Sequence, residues 1–210
     1  MRLTMTFLCL LLASAGWAQQ TADSVQPESS IAGVFETSSD AVQQALAAKS
    51  SGEPVQSDAW MVAAANPLAV EAGARILRAG GNAADAMVAV QAVLGLVEPQ
   101  SSGLGGGAFL VWYDAASDKL TTLDGRETAP LAATPTLFQD DKGEPLGFFD
   151  AVVGGRSVGT PGTPALMALV HQKWGRLDWA PLLAEATELA RNGFTVSPRL
   201  AGLVDQDAER

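Results

Sequence analysis

Residues 97–127 read VEPQSSGLGGGAFLVWYDAASDKLTTLDGRE, and within them a helical pattern gives way to two strands. Pro99 ends the helical region, and a glycine-rich segment (the glycine loop) occupies residues 101–107. Residues 108–113 and 119–124 have the apolar, aromatic and β-branched composition of strands, and a short turn separates them. We therefore predict a β-hairpin that follows a helix and a glycine-rich loop.

Two helices are predicted before this hairpin. Asn66-Pro67 is a favourable helix start, and the first helix should end at Gly80-Gly81. Asn82 begins the second helix, and Asp85 stands at the position of its capping-box partner. Residues 83–97 are apolar on nearly every side, which is typical of a fully buried helix.

Two further helices are predicted after the hairpin. One begins near Pro164, with Thr163 as its cap, and ends at Gly175. The other begins after Asp178 and ends at Gly193. The chain is therefore predicted to mix helices and strands.

The N-terminus has the pattern of a signal peptide. Met1-Arg2 supplies a minimal positive start, residues 3–15 are mostly apolar, and Gly16-Trp17-Ala18 is a small-x-small cleavage site. The apolar run is short for a bilayer span. We therefore predict that residues 1–18 are a signal peptide and that the mature protein, periplasmic or extracellular and no longer bound to a membrane, begins at Gln19.

The mature chain divides into a leader and a folded region. Residues 19–58 are rich in Ser, Gln, Ala and Glu and have no sustained apolar pattern, so we expect a flexible leader. Within it, only residues 40–49 have the composition of a short helix. Order should begin at about Ala59, so that residues 59–210 form the folded region.

The composition restricts the classes of function. With 48% hydrophobic and 17% charged residues, the 210-residue chain can bury an ordinary core. Its net charge of −10 argues against binding nucleic acid or an acidic membrane surface, because both need clustered cations. Cys9 is the only cysteine and lies in the signal peptide, which excludes a cysteine nucleophile, a disulfide and cysteine-bound zinc from the mature chain. We expect neither a metal nor a cofactor.

The glycine loop allows two interpretations. Phosphate-binding loops place their glycines between a strand and a following helix, whereas here a helix precedes the glycines and a strand follows them. No Lys follows the glycines either, so phosphate binding is not expected. The loop is either a bend that needs positive φ angles or a segment whose main chain approaches a substrate closely.

Arg126 is the candidate substrate-binding residue. If Tyr113 pairs with Leu120 in the hairpin, the register brings Arg126 level with Gly107, beside the glycine loop. A guanidinium fixed at that place is suited to a bidentate grip on a carboxylate. The alternative is that Arg126 pairs on the surface with an acidic neighbour, Glu127 or Asp124.

No nucleophile is evident in the chain. His171 is the only histidine and lies within a predicted helix, where a packed or surface position is expected. Residues 155–159 read G-R-S-V-G, but no strand-turn-helix elbow, as a serine nucleophile of the α/β-hydrolase type needs, is predicted in this loop-rich stretch. We therefore assign no catalytic residue.

Several ordered motifs resemble those of the gamma-glutamyltransferase family. They are Asn66-Pro67-Leu68-Ala69, the segments 80–86 and 97–107, Asp124-Gly125-Arg126-Glu127-Thr128-Ala129-Pro130, Pro161-Gly162-Thr163-Pro164, Trp174-Gly175-Arg176-Leu177 and the segment 190–194. Together they extend from about Ala59 to Leu200 with matching order and spacing.

The resemblance implies an α/β (α+β) fold, the αββα sandwich of N-terminal-nucleophile hydrolases, of which this chain would be the N-terminal part of the large subunit. Members of the family are precursors that cut themselves into two subunits. The new N-terminal Thr of the small subunit attacks a gamma-glutamyl amide such as glutathione, and the acyl group passes to water, an amino acid or a peptide. We expect this Thr to follow Arg210.

The resemblance also assigns a role to Arg126. It falls on the arginine of the family's R-E-x-A-P motif, which binds the α-carboxylate of the gamma-glutamyl group. Two other interpretations stay open. The chain could belong to a beta-lactam side-chain acylase or a poly-gamma-glutamate processing enzyme, or it could be a secreted, truncated relative without catalytic activity.

The first prediction concerns export. The apolar run and its small-x-small site predict cleavage after Ala18, because signal peptidases require small residues at such sites. N-terminal sequencing of the exported protein should therefore begin at Gln19. A mature protein that retains Leu10 to Leu12 would contradict the prediction.

Overall fold

The computed structural model describes residues 39–208. In chain order its elements are α1 (Asp40–Ser50), α2 (Pro67–Arg78), α3 (Ala83–Val97), β1 (Ala108–Asp114), β2 (Lys119–Gly125), α4 (Phe148–Val152), a 3₁₀ turn (Gly155–Ser157), α5 (Thr163–Trp174), α6 (Trp179–Leu182), α7 (Ala184–Asn192) and α8 (Pro198–Asp207). The predicted signal peptide and residues 19–38 lie outside the described residues. Within them, no helix is both long and apolar enough to cross a membrane.

Helix α3 lies at the centre of the packing. It contacts α2 along one side and α5, α6 and α7 on the others. Every residue of α3 after Ala83 is buried or half-buried, which confirms the prediction of a buried helix. The approach of α2 depends on Gly73, where an added Cβ would lie 2.6 Å from the side chain of Val90. A larger residue at that point would separate the two helices.

The hairpin has the predicted register. Tyr113 pairs with Leu120, and Ala108 pairs with Gly125, which brings Arg126 level with Gly107. The inner face of the hairpin packs on α5. Trp112 in β1 stacks on Trp174, the last residue of α5, with ring centroids 4.7 Å apart. Strand and helix therefore share one apolar layer.

The opposite face of the hairpin is bare among residues 39–208. Its apolar side chains are 58–69% exposed: Phe109, Val111, Tyr113 and Leu120. Alternation along the strands puts all four on one side, because successive side chains of a strand point to opposite faces. The described residues thus form one helical layer and one sheet layer, with an uncovered sheet.

Two helix boundaries differ from the prediction. The helix expected after Asp178 is two helices, α6 and α7, which meet at a turn residue, Leu183, with φ −96° and ψ −2°. Thr163 is the first residue of α5 and not its cap; Gly162 holds that position, and its N–H donates to the carbonyl of Gly106. The start of α5 is thereby joined to the glycine loop.

Part of the predicted leader is helical. The short helix that the composition of residues 40–49 indicated is present as Asp40–Ser50, and its Val42 is buried. Ser39 donates from its N–H and its hydroxyl to Glu71 in α2. Burial raises the pKa of Glu71, but hydrogen bonds from Ser39 and Arg78 outweigh it and hold that pKa below its usual value. The flexibility of residues 19–58 stays a prediction.

Asp85 fixes the N-terminal end of α3. Its fully buried carboxylate accepts hydrogen bonds from the N–H groups of Asn82, at 3.0 Å, and of Arg176, at 3.0 and 3.1 Å. The first completes the predicted capping box, and the second joins α3 to the segment after α5.

The second prediction concerns this carboxylate. Asp85→Asn should lower the free energy of unfolding by about 2–4 kcal/mol, because an amide turns an N–H₂ group toward buried donors. Urea unfolding of the purified protein measures the change. Asp141→Asn, at an exposed position, is the matched control and should change stability by less than about 0.5 kcal/mol. Equal stability of the Asp85 variant and the unmodified protein would contradict the prediction.

Candidate functional site

A cleft of about 590 Å³ lies where the glycine loop meets the end of the hairpin. Its lining includes Gln91 of α3, Ser101 and Ser102 of the loop, and Arg126 and Glu127 after β2. The loop follows α3 and precedes β1, so its position depends on a helix that packs on α5 and on a strand whose inner side chains pack there too. A helix end, a glycine-rich main chain and a guanidinium thus meet in one concave site.

The glycines of the loop permit a close approach of main chains. No glycine from 103 to 107 has a positive φ angle, so the interpretation as a bend that needs one is wrong. At Gly107 an added Cβ would lie 2.8 Å from the Cα of Arg126 and 2.5 Å from the N of Glu127. Glycine is required there because the chain after β2 passes directly against it.

Arg126 enters the cleft with an acidic neighbour beside it. Its side chain is 62% exposed, and Nη2 lies 3.2 Å from Oε1 of Glu127. Its own N–H donates to Oδ1 of Asp124 at 2.9 Å. The surface pairing of Arg126 with Glu127 is therefore present. Because a guanidinium has five N–H donors, this one contact leaves donors that can bind a substrate carboxylate. The geometry allows both the pairing and a carboxylate grip.

The second carboxylate oxygen of Glu127 was not anticipated from the sequence. Oε2 is buried, and within residues 39–208 it has no hydrogen-bond partner. It lies in the space that a side chain on Gly107 would fill, since the added Cβ would be 2.1 Å from it. A buried carboxylate oxygen without a donor is costly, so this corner of the cleft favours a ligand or chain segment that brings one.

Glu98, the residue that follows α3, is a second site residue that sequence reasoning missed. Its carboxylate is 1% exposed and accepts hydrogen bonds from Asn66 Nδ2, at 3.2 Å, and from Gln100 Nε2, at 2.6 Å. Arg199 of α8 forms an ion pair with it. The only signal in the sequence is a charged residue at the end of an apolar helix, because the cationic partner stands 101 positions later.

His171 lies away from the cleft and is packed. Its Nε2 is 2.8 Å from the carbonyl oxygen of Leu177, and its ring meets that of Trp179 edge to face. Of the two positions expected from the sequence, packed or surface, these contacts show the packed one. In the described part of the chain, no group of three or more His, Cys, Asp or Glu side chains is placed to hold a metal ion.

Comparisons with known proteins give a consistent result. The model of the family described as gamma-glutamyltranspeptidase matches residues 69–210. Over 150 residues the chain is 41% identical to the glutathione hydrolase proenzyme of Bacillus subtilis strain 168; the alignment covers 71% of this chain and 26% of that protein. The chain therefore spans about a quarter of the length of the curated relatives it matches.

Solved structures agree with this relationship. The gamma-glutamyltranspeptidase of Helicobacter pylori superposes with a TM-score of 0.71 at 35% identity, over 75% of this chain and 45% of that chain. Cephalosporin acylase from Bacillus halodurans gives a TM-score of 0.54 at 31% identity, over 75% and 32%. The predicted fold class, the mixed helix-and-strand N-terminal part of such an N-terminal-nucleophile hydrolase, is confirmed. With a family model that matches most of its residues, the chain belongs to the gamma-glutamyltranspeptidase family.

Proposed function

We propose that this chain forms the donor-carboxylate side of an enzyme that transfers gamma-glutamyl groups from glutathione and related amides to water, amino acids or peptides. The observation that supports this most directly is the exposed guanidinium of Arg126 in a cleft beside the glycine loop. A gamma-glutamyl donor presents a free α-carboxylate, and a planar guanidinium can hold both of its oxygens. Membership of the family supplies the reaction type.

The nucleophile of this reaction would come from the rest of the precursor. Self-cleavage would create an N-terminal Thr on a small subunit, whose α-amine can act as its base. The hydroxyl would attack the gamma-glutamyl carbonyl, the amine of the donor would leave, and water or an acceptor amine would resolve the acyl ester. Arg126 takes no proton in these steps and serves only to orient the donor.

The bare face of the hairpin supports a second subunit as partner. Four apolar side chains stand exposed on one side of a two-stranded sheet. A contiguous apolar patch of this kind is typical of an interface, and an uncovered sheet face favours a second sheet over solvent. We propose that the small subunit of the same precursor packs on this face and completes the sandwich, in a periplasmic or extracellular product.

A second candidate function is acylase activity on beta-lactam side chains. The similarity to cephalosporin acylase supports it, because that enzyme shares the fold of this chain at 31% identity. The two donors differ at the α-amino group, because a glutaryl chain has a free carboxylate at the same distance from the amide, and the carboxylate grip of Arg126 fits both. Assays of the full-length precursor with a gamma-glutamyl anilide and with a glutaryl amide separate gamma-glutamyl transfer from acylase activity. An assay with poly-gamma-glutamate tests for a processing enzyme. A secreted relative without activity would turn over none of them.

The third prediction concerns residues 19–210 alone. They should not hydrolyse a gamma-glutamyl anilide, because the proposed nucleophile lies outside them. They should also bind an apolar fluorescent dye through the bare hairpin face, and Val111→Lys should reduce that binding. Turnover by the purified fragment, with contaminating enzyme excluded, would show that a nucleophile had been overlooked.

The fourth prediction concerns Arg126 in the full-length precursor. Arg126→Ala should lower donor kcat/KM about a hundredfold or more, since a charged contact at a partly desolvated site is lost. Arg126→Lys should recover part of the loss, because a point charge cannot reproduce the fork. Self-cleavage, followed by the appearance of two subunits on a gel, should continue in both variants.

Arg191→Ala is the matched control for this experiment. Arg191 is also an exposed arginine 3.2 Å from a glutamate, Glu188, but it lies on α7 and does not line the cleft. Its loss should leave donor kinetics unchanged within about twofold. Normal processing with unchanged donor kinetics in Arg126→Ala would refute the carboxylate grip, whereas an unprocessed precursor would indicate a structural role for Arg126.

A further inference from the structure

The end of α3 holds a carboxylate where a helix disfavours one. Glu98 is the residue that closes the C-terminus of α3, and its side chain is 1% exposed. The C-terminal end of a helix has a partial negative charge, so an anion there is destabilised electrostatically as well as by burial. Such a group persists only when strong donors surround it.

Arg199 supplies the compensating charge and reaches the glycine loop at the same time. Its Nη1 contacts Oε2 of Glu98, and its Nη2 donates to Oγ of Ser101 at 3.1 Å. Arg199 is itself only 18% exposed and belongs to α8, which begins at Pro198 under a Ser197 cap. One planar guanidinium therefore joins a remote helix, the end of α3 and the first residue of the loop.

The loop is held at both ends. Near its start, the N–H groups of Ser101 and Ser102 each donate to the carbonyl of Glu98 at 3.0 Å. At its far end, the carbonyl of Gly106 accepts from the N–H groups of Gly162 and Thr163 at 3.0 and 3.1 Å. The conformation of Glu98 thus determines where the first half of the loop leaves α3.

This placement matters because the loop is one wall of the cleft. Ser101 and Ser102 line it together with Arg126. The far end of the loop is fixed against Arg126 by the tight contact at Gly107. The serine side of the wall is held by Arg199 at Ser101 and by Nε2 of Gln91, which donates to Oγ of Ser102 at 2.7 Å.

We infer that Glu98 and Arg199 are positioning residues for the donor: their ion pair fixes the glycine loop beside Arg126 and thereby sets donor affinity. The inference rests on the proposed function, and it goes beyond it by assigning substrate affinity to residues that do not touch the substrate. Stability alone is the competing explanation, because removal of one partner of a buried ion pair also weakens folding.

Donor kinetics of the processed, full-length enzyme test the inference. Arg199→Ala should raise donor KM about tenfold or more with kcat within about threefold, because misplacement of a cleft wall weakens binding before it affects chemistry. Arg199→Lys should raise it less, since an ammonium retains the charge but cannot bridge Glu98 and Ser101. Acceptor KM should not change in either variant.

Asp85→Asn is the matched control, because Asp85 is a buried, fully hydrogen-bonded carboxylate at the other end of the same helix. It should lose stability, measured as Tm, yet keep donor KM within about twofold. Ser101→Ala tests the same wall without disturbing a buried charge. It should raise donor KM by about threefold, and its effect should be non-additive with Arg199→Lys.

The outcomes separate the inference from the proposed function. Raised donor KM in the Arg199 and Ser101 variants, with normal KM in Asp85→Asn, supports the inference. An unchanged donor KM in those variants overturns the inference, even if Tm falls. If Arg199→Ala is not processed, the donor KM of Ser101→Ala decides whether the inference holds. If Arg126→Ala loses activity while the Arg199 and Ser101 variants keep a normal donor KM, the proposed function is supported and only the inference is wrong. An unmodified precursor without gamma-glutamyl activity would overturn both.

Discussion

Helix α3 is apolar along its length and has a buried carboxylate at each end. Asp85 at the N-terminus is 0% exposed and Glu98 at the C-terminus is 1% exposed. The apolar body between them packs against four other helices, which removes the helix from water. Because neither carboxylate can reach solvent, each must be satisfied by donors from elsewhere in the chain. Asn82 and Arg176 supply them at one end, and Asn66, Gln100 and Arg199 supply them at the other.

The two ends differ electrostatically. At the N-terminus the helix favours an anion, and Asp85 accepts from main-chain N–H groups of Asn82 and of the segment after α5, with Nε2 of His171 3.8 Å from its Oδ1. At the C-terminus the helix opposes an anion, and Glu98 accordingly has a cation, Arg199, besides two amide donors. The first end organises the packing of α5 against α3. The second end holds the start of the glycine loop, which lines the candidate cleft.

Local features of the fold were predictable because their causes are local. The cap at Asn82, the buried character of α3 and the register of the hairpin follow from residues within one element or its immediate neighbour. The register in turn placed Arg126 beside Gly107. The break at Leu183 was missed, since the residues around it have helical composition and only the geometry shows the interruption.

The candidate site was predictable only in part. Arg126 could be found because its motif and the hairpin pattern both point to it. The partners of Glu98 could not, because Asn66 and Arg199 lie 32 and 101 positions away and nothing in the pattern of one sequence joins them. The reason for the glycine at 107 was also hidden, since the close approach of Glu127 is a property of the folded chain.

The pairing of Arg126 with Glu127 is compatible with a role in binding a donor. An exposed ion pair of this kind contributes about 0–1 kcal/mol, so it orients the guanidinium without holding it strongly against a competitor. A carboxylate that binds both nitrogens of the fork gains two charge-assisted hydrogen bonds, and Glu127 reaches Arg126 through Oε1 alone. Its other oxygen is buried against the loop and has no hydrogen-bond partner among the described residues. Glu127 therefore orients Arg126 only weakly, and a donor that also offers an N–H group to the buried Oε2 would satisfy both side chains together.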